Sequence, residues 1–441
     1  MRSWSIKLIL ALVLMMTVVG GALAGSEALE AKAVDGILVF ESPNNEFKWW
    51  FDARAYIDMA SYMDDGPLYY GEDDFDDADD WDEYDDEFSD FFDRQNSLAG
   101  GVMARRVRLA IKSQLWGDWY SEVDFDFAEE ATAVKDAYIS YKGLFDGTGQ
   151  VRVGNFRQPF GLEEVTTSRN LTFMERSQGT EPFVVGRRMG LEVTRWDPMY
   201  RFSVSAFTGD IEDFTKEANE QVSFAARLNF NAIKTDDSVL MVGLSGTMQQ
   251  PVWYDYDIKV NSRPETNVSD TKFVYAKYKD VDKYNVFGAE AVYQMNRLRL
   301  QGEYMMAKYQ FLDDSDLSDD VSNSGGYVYA TYFLTDDSYS YDYRDAEFGR
   351  LIPNSKKGAW EVAARYSFVD LNDEDVLDDG DPVRFGSSTS MTLGVNYYPN
   401  PNIKLMLNYG IVDNDEYAIS RGDYKGDYDF NYLSMRFQTA F

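Results

Sequence analysis

What most constrains this chain is a period-2 alternation of apolar and polar residues that runs to its last segment. Leu433, Met435, Phe437, Thr439 and Phe441 share one parity, and Ser434, Arg436 and Gln438 share the other. Successive side chains on an extended backbone point to opposite faces, so such a segment presents one apolar and one wet face. Phe47, Trp49, Phe51, Ala53, Ala55 and Ile57 alternate in the same way with Lys48, Asp52, Arg54 and Asp58. Trp119, Ser121, Val123, Phe125 and Phe127 alternate with Glu122, Asp124 and Asp126. Val222, Phe224, Ala226, Leu228 and Phe230 alternate with Ser223 and Arg227.

About sixteen such segments are predicted, at 46–62, 101–115, 118–128, 133–142, 150–158, 186–196, 199–208, 221–230, 238–248, 284–294, 297–310, 325–335, 358–369, 388–398, 402–412 and 429–441. Their connections are expected to alternate strictly in length. Short turns such as Gly117-Asp118, Asp197-Pro198, Met295-Asn296 and Pro399-Asn400-Pro401 alternate with long acidic excursions at 63–98, 249–283, 311–324 and 370–387. Short turns at one end and long loops at the other are the layout of an all-β, transmembrane antiparallel β-barrel of the outer membrane, with an even strand number. Period-2 strands also suit a soluble β-sandwich, but a membrane β-protein satisfies its strand edges only by closing.

The N-terminus points to the same compartment. Residues 1–24 read as a signal peptide, with Arg2 and Lys7 ahead of an apolar run from Leu8 to Val19 and the small-residue site Ala22-Leu23-Ala24. No later window offers about 18 consecutive apolar residues. Residues 25–45 form a short lead and 46–441 the barrel. Removing the leader leaves 40 basic against 76 acidic side chains, a balance that argues against nucleic acid as a partner. With 29 Phe, 31 Tyr and 9 Trp the chain is too aromatic to be disordered.

Several ordered blocks resemble the phosphate-selective porin O and P family. One is Val153-Gly154-Asn155-Phe156-Arg157-Gln158-Pro159-Phe160-Gly161-Leu162-Glu163-Glu164, followed by Leu171-Thr172-Phe173-Met174-Glu175-Arg176. Others are Gly302-Glu303-Tyr304, Tyr332-Phe333-Leu334-Thr335, Trp360-Glu361-Val362-Ala363-Ala364-Arg365-Tyr366 and Asn396-Tyr397-Tyr398-Pro399-Asn400-Pro401-Asn402. The resemblance implies a sixteen-stranded porin, usually a homotrimer, in the cell outer membrane with its lipid and lipopolysaccharide. It implies an inward-folded third loop at about 159–183 that narrows the pore, and a strand ending at Phe441 that the barrel-assembly machinery reads. It also implies passive diffusion of small hydrophilic solutes or ions. The alternative is a plugged surface barrel whose acidic loops bind divalent cations or mediate attachment.

Without a single His or Cys, the chain has no Ser-His-Asp or Cys-His catalysis, no His-ligated zinc and no disulfide. No phosphate-cradling or dinucleotide-binding glycine motif is present, no cofactor is expected, and the chain is read as a non-enzyme. Function is therefore sought in the lumen, because a pore selects by the charge and width of its lining. Strand phase puts Arg106, Arg108, Lys112, Arg152, Arg188, Arg201, Arg227, Arg297, Arg299, Arg365, Lys404 and Arg436 inside. Asp52, Asp58, Glu122, Asp124, Asp126, Asp136, Glu192, Glu290, Glu303 and Glu361 accompany them. Such arginines either form an anion-selecting ladder, as the resemblance implies for Arg106 and Arg108, or pair with carboxylates and hold the third loop.

The constriction is expected to use Arg157, Glu163, Glu164, Arg169, Glu175 and Arg176. Between Pro159 and Phe183 there is no lysine, and Glu163, Glu164, Glu175 and Glu181 outnumber Arg169 and Arg176. A narrow segment with that balance is not expected to concentrate phosphate strongly, since like charges repel most where water is scarce.

Asp64 to Asp93 holds sixteen acidic residues and no basic one. Weak Ca²⁺ or Mg²⁺ binding at Asp73, Asp74, Asp76, Asp77, Asp79 and Asp80 is one reading of this loop, since hard cations take carboxylate oxygens. A solvated, self-repelling surface is the other, because EF-hand spacing is absent. If the loop binds calcium, calcium titration raises the thermal unfolding midpoint; an unchanged midpoint leaves only the solvated surface.

Overall fold

A computed structural model describes residues 29–34, 36–63, 98, 100–128, 132–211, 221–235, 237–251, 256–313, 315, 317, 319–378, 381–419 and 426–441. The expected signal peptide and the acidic stretch Asp64–Asp93, with all six candidate metal aspartates, lie outside these residues.

Sixteen long strands coincide with the sixteen alternating segments. They are β1 (Phe47–Met63), β2 (Gly101–Leu115), β3 (Trp119–Asp126), β4 (Ala133–Leu144), β5 (Gly149–Arg157) and β6 (Arg187–Trp196). Next come β7 (Tyr200–Phe207), β8 (Ser223–Lys234), β9 (Ser238–Gln249), β10 (Val281–Met295) and β11 (Leu298–Phe311). Last are β12 (Val321–Phe333), β13 (Ala359–Asp370), β14 (Ser387–Asn400), β15 (Ile403–Asn414) and β16 (Phe430–Ala440). Each pairs antiparallel with the next, and β16 pairs with β1 from Asn431↔Met63 to Ala440↔Arg54. Phe441 extends the seam by exchanging backbone hydrogen bonds with Ala53 at 2.7 and 2.9 Å. Closure leaves no unpaired edge, which is what lets a sheet stand in hydrocarbon.

The alternation becomes inside and outside. Ile57, Val102, Val153, Leu191, Leu244, Val328 and Phe437 lie exposed on the outer face, while Asp58, Arg108, Glu192, Ser245, Thr331 and Arg436 are buried within. Aromatic rings gather at the turn end, where Trp360 stacks on Tyr397 at 4.5 Å and Trp119 lies 5.0 Å from Tyr141. Such girdles mark the interfaces of a membrane barrel. Outside the barrel ring, a hairpin of Glu30–Val34 and Ile37–Glu41 adds to the start of β1 through Val39↔Trp50.

Two departures from the expected layout shape the interior. Connection lengths do not alternate strictly, because 334–358, between β12 and β13, is long and lies at the turn end. It folds inward, since Tyr339, Phe348 and Leu351 bury against Leu162, Phe333 and Tyr398. Short-turn chemistry is absent there, and no period-2 pattern revealed this segment. At the loop end, the hairpin Ile258–Ser262 with Val274–Tyr278 also packs inward, burying Phe273, Val274 and Tyr278 with Phe183 and Phe430. The buried wall residues of both apolar clusters come from β7–β16, while β2–β6 contribute charged luminal side chains such as Arg108, Asp126 and Glu192.

A charge on the outer face should be costly. Val328→Arg, on the outer face of β12, is expected to lose about 2–4 kcal/mol near the bilayer midplane, read as a lower urea midpoint in lipid vesicles.

Candidate functional site

The third loop, 158–186, crosses the lumen as a short helix α1 (Leu162–Val165) and two 3₁₀ turns at Ser168–Asn170 and Glu181–Phe183. Its entry depends on Gly161, whose φ of 72° lies in the left-handed region that favours glycine. Arg176 closes the helix, donating to the carbonyls of Glu163 and Glu164 at 2.9 Å and of Thr166 at 3.1 Å. Those are carbonyls that the end of a helix leaves unsatisfied.

Every buried glutamate of the third loop, Glu163, Glu164 and Glu175, has a cation. Glu163 meets Arg365 at 3.3 Å and accepts from the Ser177 amide at 2.8 Å. Glu164 lies between Arg157 at 3.3 Å and Arg176 at 3.0 Å. Glu175 is held by Arg105 at 2.8 Å and Arg436 at 2.5 Å, and Arg436 also binds Asp58 at 2.6 Å. Arg169 reaches across to Asp52 at 2.7 Å. The six expected constriction residues are thus brought together, five of them in a network of loop and wall pairs, with Arg169 of the Ser168–Asn170 turn tied separately to Asp52 of β1.

The expected lining residues divide into paired and open groups. On β2 and β3, Arg108 binds Asp126 at 2.7 Å and approaches Asp124 to 4.0 Å, while Lys112 bridges Asp52 at 3.3 Å and Glu122 at 3.0 Å. Arg227 is closed onto Glu290 at 2.7 Å, on the β8–β10 wall. Arg299 lies 4.1 Å from the Tyr339 ring and donates to Thr172 Oγ1 at 2.5 Å. Arg152 stacks 4.7 Å from the Tyr138 ring, and Arg188 donates to the Arg187 carbonyl at 2.7 Å. Arg106 is buried with no hydrogen bond or ion pair among the described residues, and its Nε is unsatisfied. Arg297 departs from its expected luminal place, because it sits in the β10–β11 turn, 40% exposed, and pairs with Asp336.

Three participants escaped the strand reading, and a fourth, Arg54, has partners that it did not give. Arg105 has the parity of the lipid face, but a register shift between Tyr56 and Ile57 leaves it as an extra residue on β2 and turns it inward. Arg187 stands at the start of β6, where phase is not yet set, and binds Asp136 at 2.7 Å. Arg54 was placed on the wet face of β1 without a partner, and it binds Asp52 at 3.0 Å and donates to Thr167 at 3.2 Å. Glu265 lies in an outer loop with no periodicity to mark it, yet it is 3% exposed and binds Arg365 at 2.5 Å. Among described residues, the carboxylates of Glu122, Asp124 and Asp136 converge within 4.8 Å, countered by Lys112, Arg108 and Arg187.

The blocks that carry the family resemblance meet around this loop. Glu303 accepts from the Leu162 and Glu163 amides, Arg365 binds Glu163, and Asn396 donates to the Thr172 carbonyl at 2.8 Å. At the turn end, burial and the neighbouring Asp345 push the Glu347 carboxyl up to about 7 within the inward 334–358 segment.

A profile described as phosphate-selective porin O and P matches residues 83–441. Porin O of Pseudomonas aeruginosa is 25% identical over 370 residues, covering 77% of this chain and 83% of that protein. Among solved structures, an anion-selective porin from Comamonas acidovorans superposes with a TM-score of 0.52 at 12% identity, over 90% of this chain and 100% of that one. The trimer form of OmpT from Vibrio cholerae gives 0.50 at 11% identity, over 90% and 99%.

Removing Arg436 strands Asp58 in a buried setting and leaves Glu175 to Arg105 alone. Arg436→Ala is expected to cost about 3–5 kcal/mol, read as a lower thermal or urea midpoint of the refolded barrel.

Proposed function

This chain belongs to the phosphate-selective porin O and P family and is an outer-membrane channel for passive diffusion; on that premise we propose that its open path favours small anions weakly. The observation that carries this is the pairing of the constriction carboxylates. Glu163, Glu164 and Glu175 are each bound to guanidinium groups, so three of the loop's four glutamates do not face the path as free negative charge, and the fourth, Glu181, accepts only the Arg263 amide among the described residues. Arg106, Arg152 and Arg188, in contrast, have no carboxylate within ion-pair distance among the described residues. Field lines in a low-dielectric passage are focused by charges that lack a direct ion-pair partner. Asp124, whose nearest cation is at 4.0 Å, tempers the preference.

The proposed path follows the charged wall of β2–β6, since the buried apolar clusters of the outer hairpin and of the 334–358 segment draw on the later strands. Arg106, Arg108, Lys112, Arg152 and Arg188 line it with Glu122, Asp124 and Asp126. The lysine-free constriction supports a modest preference among small anions over tight capture of phosphate, for which the family is named. The proposal includes export by the 1–24 leader and assembly as a homotrimer in contact with lipopolysaccharide, with the Phe441 strand read by the assembly machinery. It includes the absence of catalysis, which the lack of histidine and cysteine supports.

Planar-bilayer recording tests the reading. The chain should give open-channel steps, and the reversal potential in a potassium chloride gradient should carry the sign of chloride preference. Absence of steps would favour a plugged barrel, and the opposite sign would sink the anion preference.

A further inference from the structure

We propose that Glu303 and Arg365 are positioning residues that set the charge preference of the pore by turning the glutamates of the third loop away from the water path. The proposal deepens the anion-preferring reading above and rests on it. The two residues grip the same short stretch from opposite chemical ends. Glu303, on β11, accepts from the adjacent amides of Leu162 and Glu163 at 2.7 and 2.6 Å, and from the Tyr327 hydroxyl at 2.7 Å. The left-handed turn at Gly161 aims both amides at one carboxylate. Arg365, on β13, takes the side chain of Glu163 at 3.3 Å and the main-chain carbonyl of Glu175 at 3.1 Å.

Held by its backbone on one side and its carboxylate on the other, Glu163 has no freedom to rotate toward the path, and it is 4% exposed. Charge-assisted hydrogen bonds are the strong ones, and both sets are shielded from solvent, since Glu303 is 5% and Arg365 1% exposed. Arg365 reaches further. It binds Glu265 of the outer loop at 2.5 Å, and Ser367 and Thr392 each donate to that carboxylate at 2.6 Å. One guanidinium thereby ties the outer loop to the constriction loop and neutralises an acid from each. Loosening the clasp frees the loop's main chain and returns its carboxylates to the lumen together, so width and selectivity should change as one.

The absence of cysteine gives a clean reporter. Ser177→Cys introduces a single thiol at a position that is 0% exposed and whose amide donates to Glu163. In that background, Glu303→Gln places an amide N–H group against the Leu162 or Glu163 N–H, and Arg365→Lys keeps the charge but loses the fork. Each is expected to speed modification of the thiol by a small charged reagent about tenfold or more, the scale of one lost charged hydrogen bond. Each should also raise single-channel conductance and move the reversal potential toward cations, with Arg365→Lys the milder. Ser203→Ala, whose hydroxyl meets only Thr194 among the described residues, should change none of these.

Unchanged labelling and an unchanged reversal potential in a folded Glu303→Gln barrel would overturn the proposal, as would faster labelling with no shift in selectivity. If Glu303→Gln fails to fold, Arg365→Lys decides by the same readouts. A parent chain that prefers cations or does not conduct defeats the reading on which the proposal rests. Labelling then still decides whether the two residues hold the loop.

Discussion

The interior of this barrel depends on buried carboxylates finding guanidinium partners. A charge taken out of water without compensation is strongly destabilising, and the lumen encloses many acids at a few per cent exposure. Arg365, Arg436 and Arg105 each come from a wall strand, and each reaches a carboxylate of the constriction loop. Arginine suits the task because its planar fork satisfies two acceptors at once and stays charged. Arg436 uses it to hold Asp58 and Glu175 together. The loop is therefore docked by ion pairs as well as by the buried side chains of Phe160, Leu162, Phe173 and Phe183, and the arginines fix where its carboxylates lie.

Around that network, apolar packing divides the cross-section. The outer hairpin buries Phe273 and Tyr278 at the loop end, while Tyr339, Phe348 and Leu351 close the turn end beneath Leu162. Both clusters fill the side of the lumen backed by the later strands. On the wall of β2–β6 acids and bases interleave, and Arg106 has no ion-pair partner among the described residues. The same strands contribute the bulge that turns Arg105 inward, so a local break in register adds a cation to the lumen there.

Much of the architecture was legible. Because side-chain direction in a strand has a period of two residues, parity alone separated Phe437 from Arg436 and Leu109 from Arg108, and it located all sixteen strands. The same rule misled wherever regular pairing stopped. Arg105 changed face at a bulge, Arg187 at a strand start, and Arg297 at a turn, each within a residue or two of where parity holds. Glu265 and the 334–358 segment left no signal, since inward folding of a loop is chosen by partners distant in sequence.

The residues by themselves determined the closed, lipid-facing sheet, the lack of histidine and cysteine chemistry, and the mixed charge of the lumen. All of these follow from composition and local periodicity. Only the tertiary structure decided which charges are spent on one another. A count of glutamates in 159–183 reads as a repelling gate, yet Glu163, Glu164 and Glu175 are neutralised by arginines from strands β2, β5, β13 and β16 and from Arg176 of the loop itself. Electrostatic character at a constriction is set by distances of about 3–4 Å, and those distances exist only once the chain has closed.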